Sequence, residues 1–253
     1  MQLIENPHGN YGFLTGIAPY SAGVVALAGY EIVRATLQTP APYRQGFRLI
    51  DQQLHAQGRP RQALCAVELR LPKPLTFAEF NEFNQDYRAL LADWDILLGE
   101  QNPVARTNIA PAVHPPAQPA LYAFSYTIPS TATHQPPTFI VAGAGDLRDQ
   151  AQLSASAVVR PGETSAHALR EKAACVIQVM QTRLAGLGMH WAQATAIDIY
   201  TAQPIYSFLQ SEILNVIGDA TMHGVHWYYS YPPIIDLAFE MDVRGVRQEL
   251  RIW

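Results

Sequence analysis

Residues 47–71, FRLIDQQLHAQGRPRQALCAVELRL, return 130 positions later as residues 177–201, IQVMQTRLAGLGMHWAQATAIDIYT. The overlay sets Leu54 on Leu184, Gly58 on Gly188, Ala66 on Ala196, Val67 on Ile197, Glu68 on Asp198 and Leu69 on Ile199. A repeat of this length means one supersecondary unit built twice, which restricts the fold more than any single motif does. In each copy apolar residues recur at helical spacing (Phe47, Ile50, Leu54; Ile177, Met180, Leu184), and a glycine suited to a left-handed cap ends the helix. A strand follows. In it Cys65, Val67 and Leu69 alternate with Ala66, Glu68 and Arg70, and Thr195, Ile197 and Ile199 alternate with Ala196, Asp198 and Tyr200. Glu68 and Asp198 therefore take equivalent places on the strand face away from the helix.

The first copy continues with a second helix over 76–94, capped by Thr76 with Glu79 closing a capping box; its counterpart is 204–218. Further strands are expected over 106–113 and 223–231. The tract 111-PAVHPPAQP-119 has too many missing donors for a central strand and reads as a connector. Residues 120–128 complete the first sheet, 129–137 form the junction, and 138–145 open the second sheet. The expectation is an α+β chain of two domains, 1–130 and 131–253, each a mixed, largely antiparallel sheet with two helices on one face.

A chain of 253 residues with 49% hydrophobic content can build real cores. Only 15% of residues are charged, against roughly 25% in an ordinary soluble protein, so part of the surface is expected to be covered in a homo-oligomer. A net charge of −4 and no run of Lys and Arg argue against nucleic acid. Neither a charged-then-apolar leader nor a membrane-length apolar run occurs, so no membrane partner is expected and the expected location is the cytoplasm. Cys65 and Cys175 read as reduced, buried packing residues. His223 and His226, three apart on a strand, point to opposite faces, so no metal is expected. Gly143-Ala144-Gly145 is a lone GxG, and no dinucleotide or other cofactor is expected.

The stretch 102-NPVARTNIAP-111 puts Arg106 among apolar and β-prone residues. On a strand it shares a face with Val104 and Asn108, and a guanidinium there either joins a salt bridge or receives a substrate carboxylate on its planar fork of donors. In 226-HWYYSY-231, His226, Tyr228 and Ser230 share one face and Trp227, Tyr229 and Tyr231 the other, so one set can pack while the other lines a cleft.

These segments resemble the Rid superfamily of reactive-intermediate deaminases (YjgF type, formerly L-PSP endoribonucleases). The resemblance rests on Pro19-Tyr20-Ser21, 64-LCAVELRL-71, 77-FAEFN-81 and 103-PVART-107 in the first half, and on 139-FIVAGAG-145, 170–201 and 236-DLAFEMDV-243 in the second. It implies two tandem chorismate-mutase-like domains of Rid type, trimeric association, and small-molecule clefts between neighbours. It further implies that Arg106 binds a substrate carboxylate with Tyr20 and Asn81, and that Glu240 serves as the proton-transfer carboxylate. His223 stands where the second copy would carry the arginine, and is the other proton-transfer candidate. His226 and Tyr228 join the ligand-binding set. The implied function is a hydrolase or deaminase acting on a small carboxylate-bearing imine, enamine or enol. The alternatives are a metabolite-binding protein without catalysis and a chorismate-type enol ether hydrolase.

Overall fold

The sequence repeat is carried into the sheets. The computed structural model describes residues 1–132 and 135–253; Thr133 and His134, inside the expected junction loop, lie outside the described residues. The first half contains β1 (Leu3–Asn6), β2 (Tyr11–Leu14), β3 (Gly23–Ala26), β4 (Tyr30–Pro42), α1 (Tyr43–Ala56), β5 (Leu64–Arg70), α2 (Phe77–Asp93), β6 (Ala105–Pro111) and β7 (Ala120–Pro129). The second contains β8 (Phe139–Gly145), α3 (Ala166–Gly186), β9 (Ala196–Tyr200), β10 (His226–Tyr228), β11 (Ser230–Tyr231), β12 (Glu240–Gly245) and β13 (Gln248–Ile252). One sheet runs β4-β7-β5-β6 and the other β8-β12-β9-β10. Each has a parallel pair, β5 with β6 and β9 with β10, beside antiparallel neighbours. The chain is thus a mixed α+β protein of two sheets.

Local chemistry explains the matching helix ends. Gly58 and Gly188 have φ of +63° and +73°. In each copy the glycine N–H donates three residues back, to His55 O or Ala185 O, and the next N–H reaches Leu54 O or Leu184 O. This is the Schellman closure, which a residue with a Cβ adopts only under strain. Thr76 and Glu79 form the expected capping box on α2.

Residue 130 does not separate the sheets. The hairpin β1-β2 and strand β3 extend the second sheet beside β8, while β11 and β13 extend the first beside β6 and β4. The halves exchange edges. Nor does the second half repeat the second helix: over 204–218 it holds a π-turn (Leu209–Leu214) and one short helical turn, followed by a 3-10 turn (Gly218–His223). The wide turn lets Phe208, Ile213 and Ile217 all reach the core, and Gly218 at φ +57° ends it. Among the described residues no helix is long and apolar enough to cross a membrane.

The sheets lie face to face between outer helices. Helices α1 and α2 cover the first sheet through Phe47, Ile50, Tyr87 and Leu91, and α3 covers the second through Val176, Ile177 and Met180. Between the sheets, Val24 and Ala142 meet Ile32, Cys65 and Ala105. That interior also holds charge. The Arg34 guanidinium donates to both Glu68 oxygens at 2.6 and 2.8 Å, and Asp198 accepts from Arg244 at 2.6 Å. Burial alone would raise both acids, but their arginines (and, for Asp198, the His226 hydrogen bond) hold them below the ordinary range. Their stabilisation is therefore complete above the ordinary carboxylate values and lost as pH falls through the depressed ones. Glu68→Ala leaves Arg34 buried without its fork partner, and urea unfolding should show a loss of about 3–5 kcal/mol. The double change Arg34→Met with Glu68→Leu should recover part of it, because Arg34 is no longer left without its partner, while buried Arg70, 3.9 Å from Glu68, still loses that carboxylate.

Candidate active site

The turn Pro19-Tyr20-Ser21 is tied to the strand that carries Arg106. Asn102 Nδ2 donates to Pro19 O at 2.7 Å, its Oδ1 accepts from Val104 N, and Ser21 N donates to Val104 O at 3.0 Å. The Asn-Pro before the strand therefore docks Tyr20 beside Arg106. Arg106 lies alongside Val67 in the parallel pairing, on the face covered by α2. Rings of Tyr87 (4.6 Å), Tyr20 (4.8 Å), Phe80 (5.5 Å) and Phe83 (5.6 Å) surround its guanidinium.

Arg106 is 3% exposed, and no carboxylate forms an ion pair with it among the described residues. Glu68 and Asp198 are taken by other arginines. Its one side-chain partner is Asn84, whose Oδ1 accepts from Nη2 at 2.5 Å. Its Nη1, the Asn84 amide nitrogen and both polar atoms of Asn108 have no protein partner. Buried polar groups normally find partners, so these unpaired atoms mark the cluster as a candidate site for a polar ligand. Four rings stabilise the cation through their faces without using its donors.

Glu240 comes from the other half of the chain. Strand β12 sets it opposite Gly145 and Tyr200, and it lines the same cavity, about 30 Å³, as Arg106, Tyr20, Asn108 and Gln150. Burial, then the charge of Asp242, pushes its carboxyl well above the ordinary glutamate range, against the opposing pull of Arg183 and Arg106. Asp242 is itself raised to about 7 by burial and by Asp198 and Glu68. A carboxyl whose burial favours its protonated form thus shares a cavity with an arginine across the joint between the halves.

Gly143 makes this possible. Its N–H donates to Thr107 Oγ1 at 3.0 Å, joining the sheets, and a Cβ there would collide with Glu240 Oε1 and press on Thr107. Gly143→Ala should lower turnover by more than tenfold, roughly 1–3 kcal/mol of overpacking, and cost a similar amount of stability. Steady-state kinetics and thermal unfolding check both.

Of the sequence-predicted residues, Arg106, Tyr20 and Glu240 meet here and the rest do not. Asn81 is exposed on α2, and Asn84, one turn later, faces Arg106. The signal was present: Phe80, Asn84, Tyr87 and Leu91 form the buried stripe of α2, so Asn84 is a polar residue on an apolar face. His223 is exposed in the 3-10 turn, not on a strand. Because His226 pairs with Asp198 as Thr107 pairs with Glu68, the counterpart of Arg106 is Val225. His226 and Tyr228 line a separate cavity of about 580 Å³ beside Arg34 and Arg244. There His226 Nδ1 lies 2.8 Å from Asp198 Oδ1, the bond that raises the histidine above its ordinary value. Cys65 is buried, but Cys175 is half-buried on a third cavity.

Comparison with known proteins gives the class and then the family. A family model described as 2-aminomuconate deaminase CnbZ matches residues 3–250. A curated relative, the 2-amino-5-chloromuconate deaminase of Comamonas testosteroni, is 38% identical over 241 residues, covering 95% of each chain. Among solved structures, a chorismatase crystal structure aligns at a TM-score of 0.44 and 13% identity, over 88% of this chain and 77% of that one. The chain is an enzyme of the deaminase and hydrolase kind. It belongs to the CnbZ family of 2-aminomuconate deaminases. The resemblance to the Rid superfamily is thereby corrected, since the matching model spans nearly the whole chain and is CnbZ's. The segments that suggested Rid, a capped helix leading into a strand and an arginine strand, are local units. They do not report the exchanged edge strands or the broken helix of the second half.

Proposed function

We propose that this enzyme hydrolyses the enamine of a 2-aminomuconate-type acid, a six-carbon dienedioate with an amino group beside one carboxylate, to ammonia and the 2-oxo acid. The observation that carries this is the meeting, in one cavity, of a buried arginine that forms no ion pair among the described residues with a buried glutamate whose burial favours the protonated form. Arg106 holds the carboxylate next to the amine-bearing carbon through the donors left free by Asn84 and the ring cage. Glu240 delivers its proton to the adjacent enamine carbon, converting the enamine to an iminium. The resulting carboxylate takes a proton from water as the water oxygen bonds to the amine-bearing carbon. Transfer of that proton to nitrogen expels ammonia as the C–O bond becomes a carbonyl, and the hydroxyl proton released from that oxygen returns to the Glu240 carboxylate. One water is consumed, one ammonia leaves, and Glu240 ends protonated. Tyr20 closes the cavity over Arg106, its hydroxyl kept protonated by burial.

The purified chain, given a freshly generated 2-aminomuconate, should release ammonia faster than the spontaneous rate, with equimolar loss of the dienamine absorbance. Release at the spontaneous rate would sink this reading.

A further inference from the structure

A second buried cation lies one wall away. Arg183 sits on the inner face of α3 beside Met180 and Leu184, 4% exposed. Its Nη1 donates to the carbonyls of Ala142 (2.9 Å) and Gly143 (3.2 Å), and among the described residues no carboxylate forms an ion pair with it. It opens onto a cavity of about 490 Å³ with Arg148, whose Nη1 donates to Val158 O at 2.7 Å and which likewise has no carboxylate partner. Tyr20 and Gln150 line both this cavity and the one around Arg106 and Glu240. The smaller space, about 30 Å³, accepts a group of the size of a water or two. A longer ligand anchored at Arg106 must therefore run past Tyr20 into the larger space.

Charge follows the same line. A guanidinium buried against neutral carbonyls is costly, and an anion is what offsets the cost. Arg106 and Arg183 present two positive charges along the path that Tyr20 and Gln150 connect. Among the described residues Asp149 is the only acid on the larger cavity's wall, and it is exposed, where solvent screens it.

We infer that Arg183, assisted by Arg148, anchors the distal carboxylate and makes the site select a dicarboxylate over a monocarboxylate of the same carbon skeleton. This rests on the reading above in that Arg106 takes the proximal carboxylate. Arg183 acts at a distance from the reacting carbon, so its mark is selectivity in binding.

The test is calorimetric titration with two unreactive probes, trans,trans-muconate and sorbate, which share a six-carbon diene and differ in the second carboxylate. The wild-type chain should bind muconate about ten- to a hundredfold more tightly, the range for charge-assisted hydrogen bonds. Arg183→Gln should bring that ratio close to one while leaving sorbate affinity unchanged, whereas Arg106→Gln should weaken both probes. Arg183 also holds two β8 carbonyls, so Arg148→Gln at the exposed rim provides a variant that does not disturb the sheet; it should lower the ratio in the same direction by less. A wild-type ratio near one overturns the inference, as does a ratio that survives in Arg183→Gln or, if that variant does not fold, in Arg148→Gln. The two readings fail separately. A chain that discriminates the probes but releases no ammonia keeps the anchor and loses the deaminase, and one that deaminates without discriminating does the reverse.

Discussion

Replacing Glu240 with glutamine is expected to lower kcat by about a thousandfold, within the range for a positioned general acid and base, while the chain stays folded. Glutamine keeps the size of the side chain and fills the space that Gly143 leaves, but cannot give up a proton to carbon. Single-turnover measurement of dienamine loss checks the chemical step directly. In the native chain activity should fall as pH rises through the raised value of Glu240, because the acid form is the one that begins the reaction. Stability moves the same way. The folded state holds this proton more tightly than the unfolded chain, so from the ordinary value of 4.5 upward the unfolded state gains by ionising first, and stability declines until the folded group also ionises. Glu240→Gln removes that decline. The variant should therefore match the native chain in acid and exceed it in melting temperature near neutrality. A variant that keeps its turnover would show that the proton comes from another group.

Replacing Arg106 with methionine should separate binding from folding even more sharply. A buried cation with one neutral side-chain partner and no carboxylate contributes little to stability, and an unbranched apolar side chain fits among Tyr20, Phe80, Phe83 and Tyr87. The melting temperature should stay level or rise. Binding of muconate should weaken by about 2–5 kcal/mol, the loss for one partner of a buried, hydrogen-bonded charge pair. Arg106→Lys keeps the charge but not the fork, and should weaken binding by roughly 1–3 kcal/mol with little change in melting temperature. Calorimetry and thermal unfolding of the two variants decide the matter: a large fall in melting temperature with unaltered affinity would make Arg106 a structural residue.

The contrast between Arg106 and Asn84 shows where sequence reading stops. Alternation placed Arg106 on the strand face shared with Val104 and Asn108, whereas Asn84, which the sequence reading did not single out, lies in the buried stripe of Phe80, Tyr87 and Leu91. Neither pattern says how the helix is phased over the strand, and a shift of one turn separates exposed Asn81 from buried Asn84. The same holds for Arg183, a cation within the Ile177, Met180 and Leu184 stripe of α3. Its position was visible, but its cavity was not. His223 fails for a related reason. The second copy reaches its paired strand in fewer residues, Asp198 to His226 against Glu68 to Thr107, through irregular turns that leave His223 outside the strand.

Short-range chemistry was settled by the sequence itself. A glycine four residues past a helical stripe closes α1 and α3 the same way, Thr76 and Glu79 cap α2, and alternation sends Glu68 and Asp198 to one face, because each effect involves neighbours within a turn or a strand. Only the tertiary structure decided which acid meets which arginine, that β3 and β13 cross to the opposite half's sheet, and that Glu240 reaches Arg106 across the joint. Those pairings join residues tens to hundreds of positions apart, where contact depends on how two packed sheets share an interior and not on any local preference of the chain.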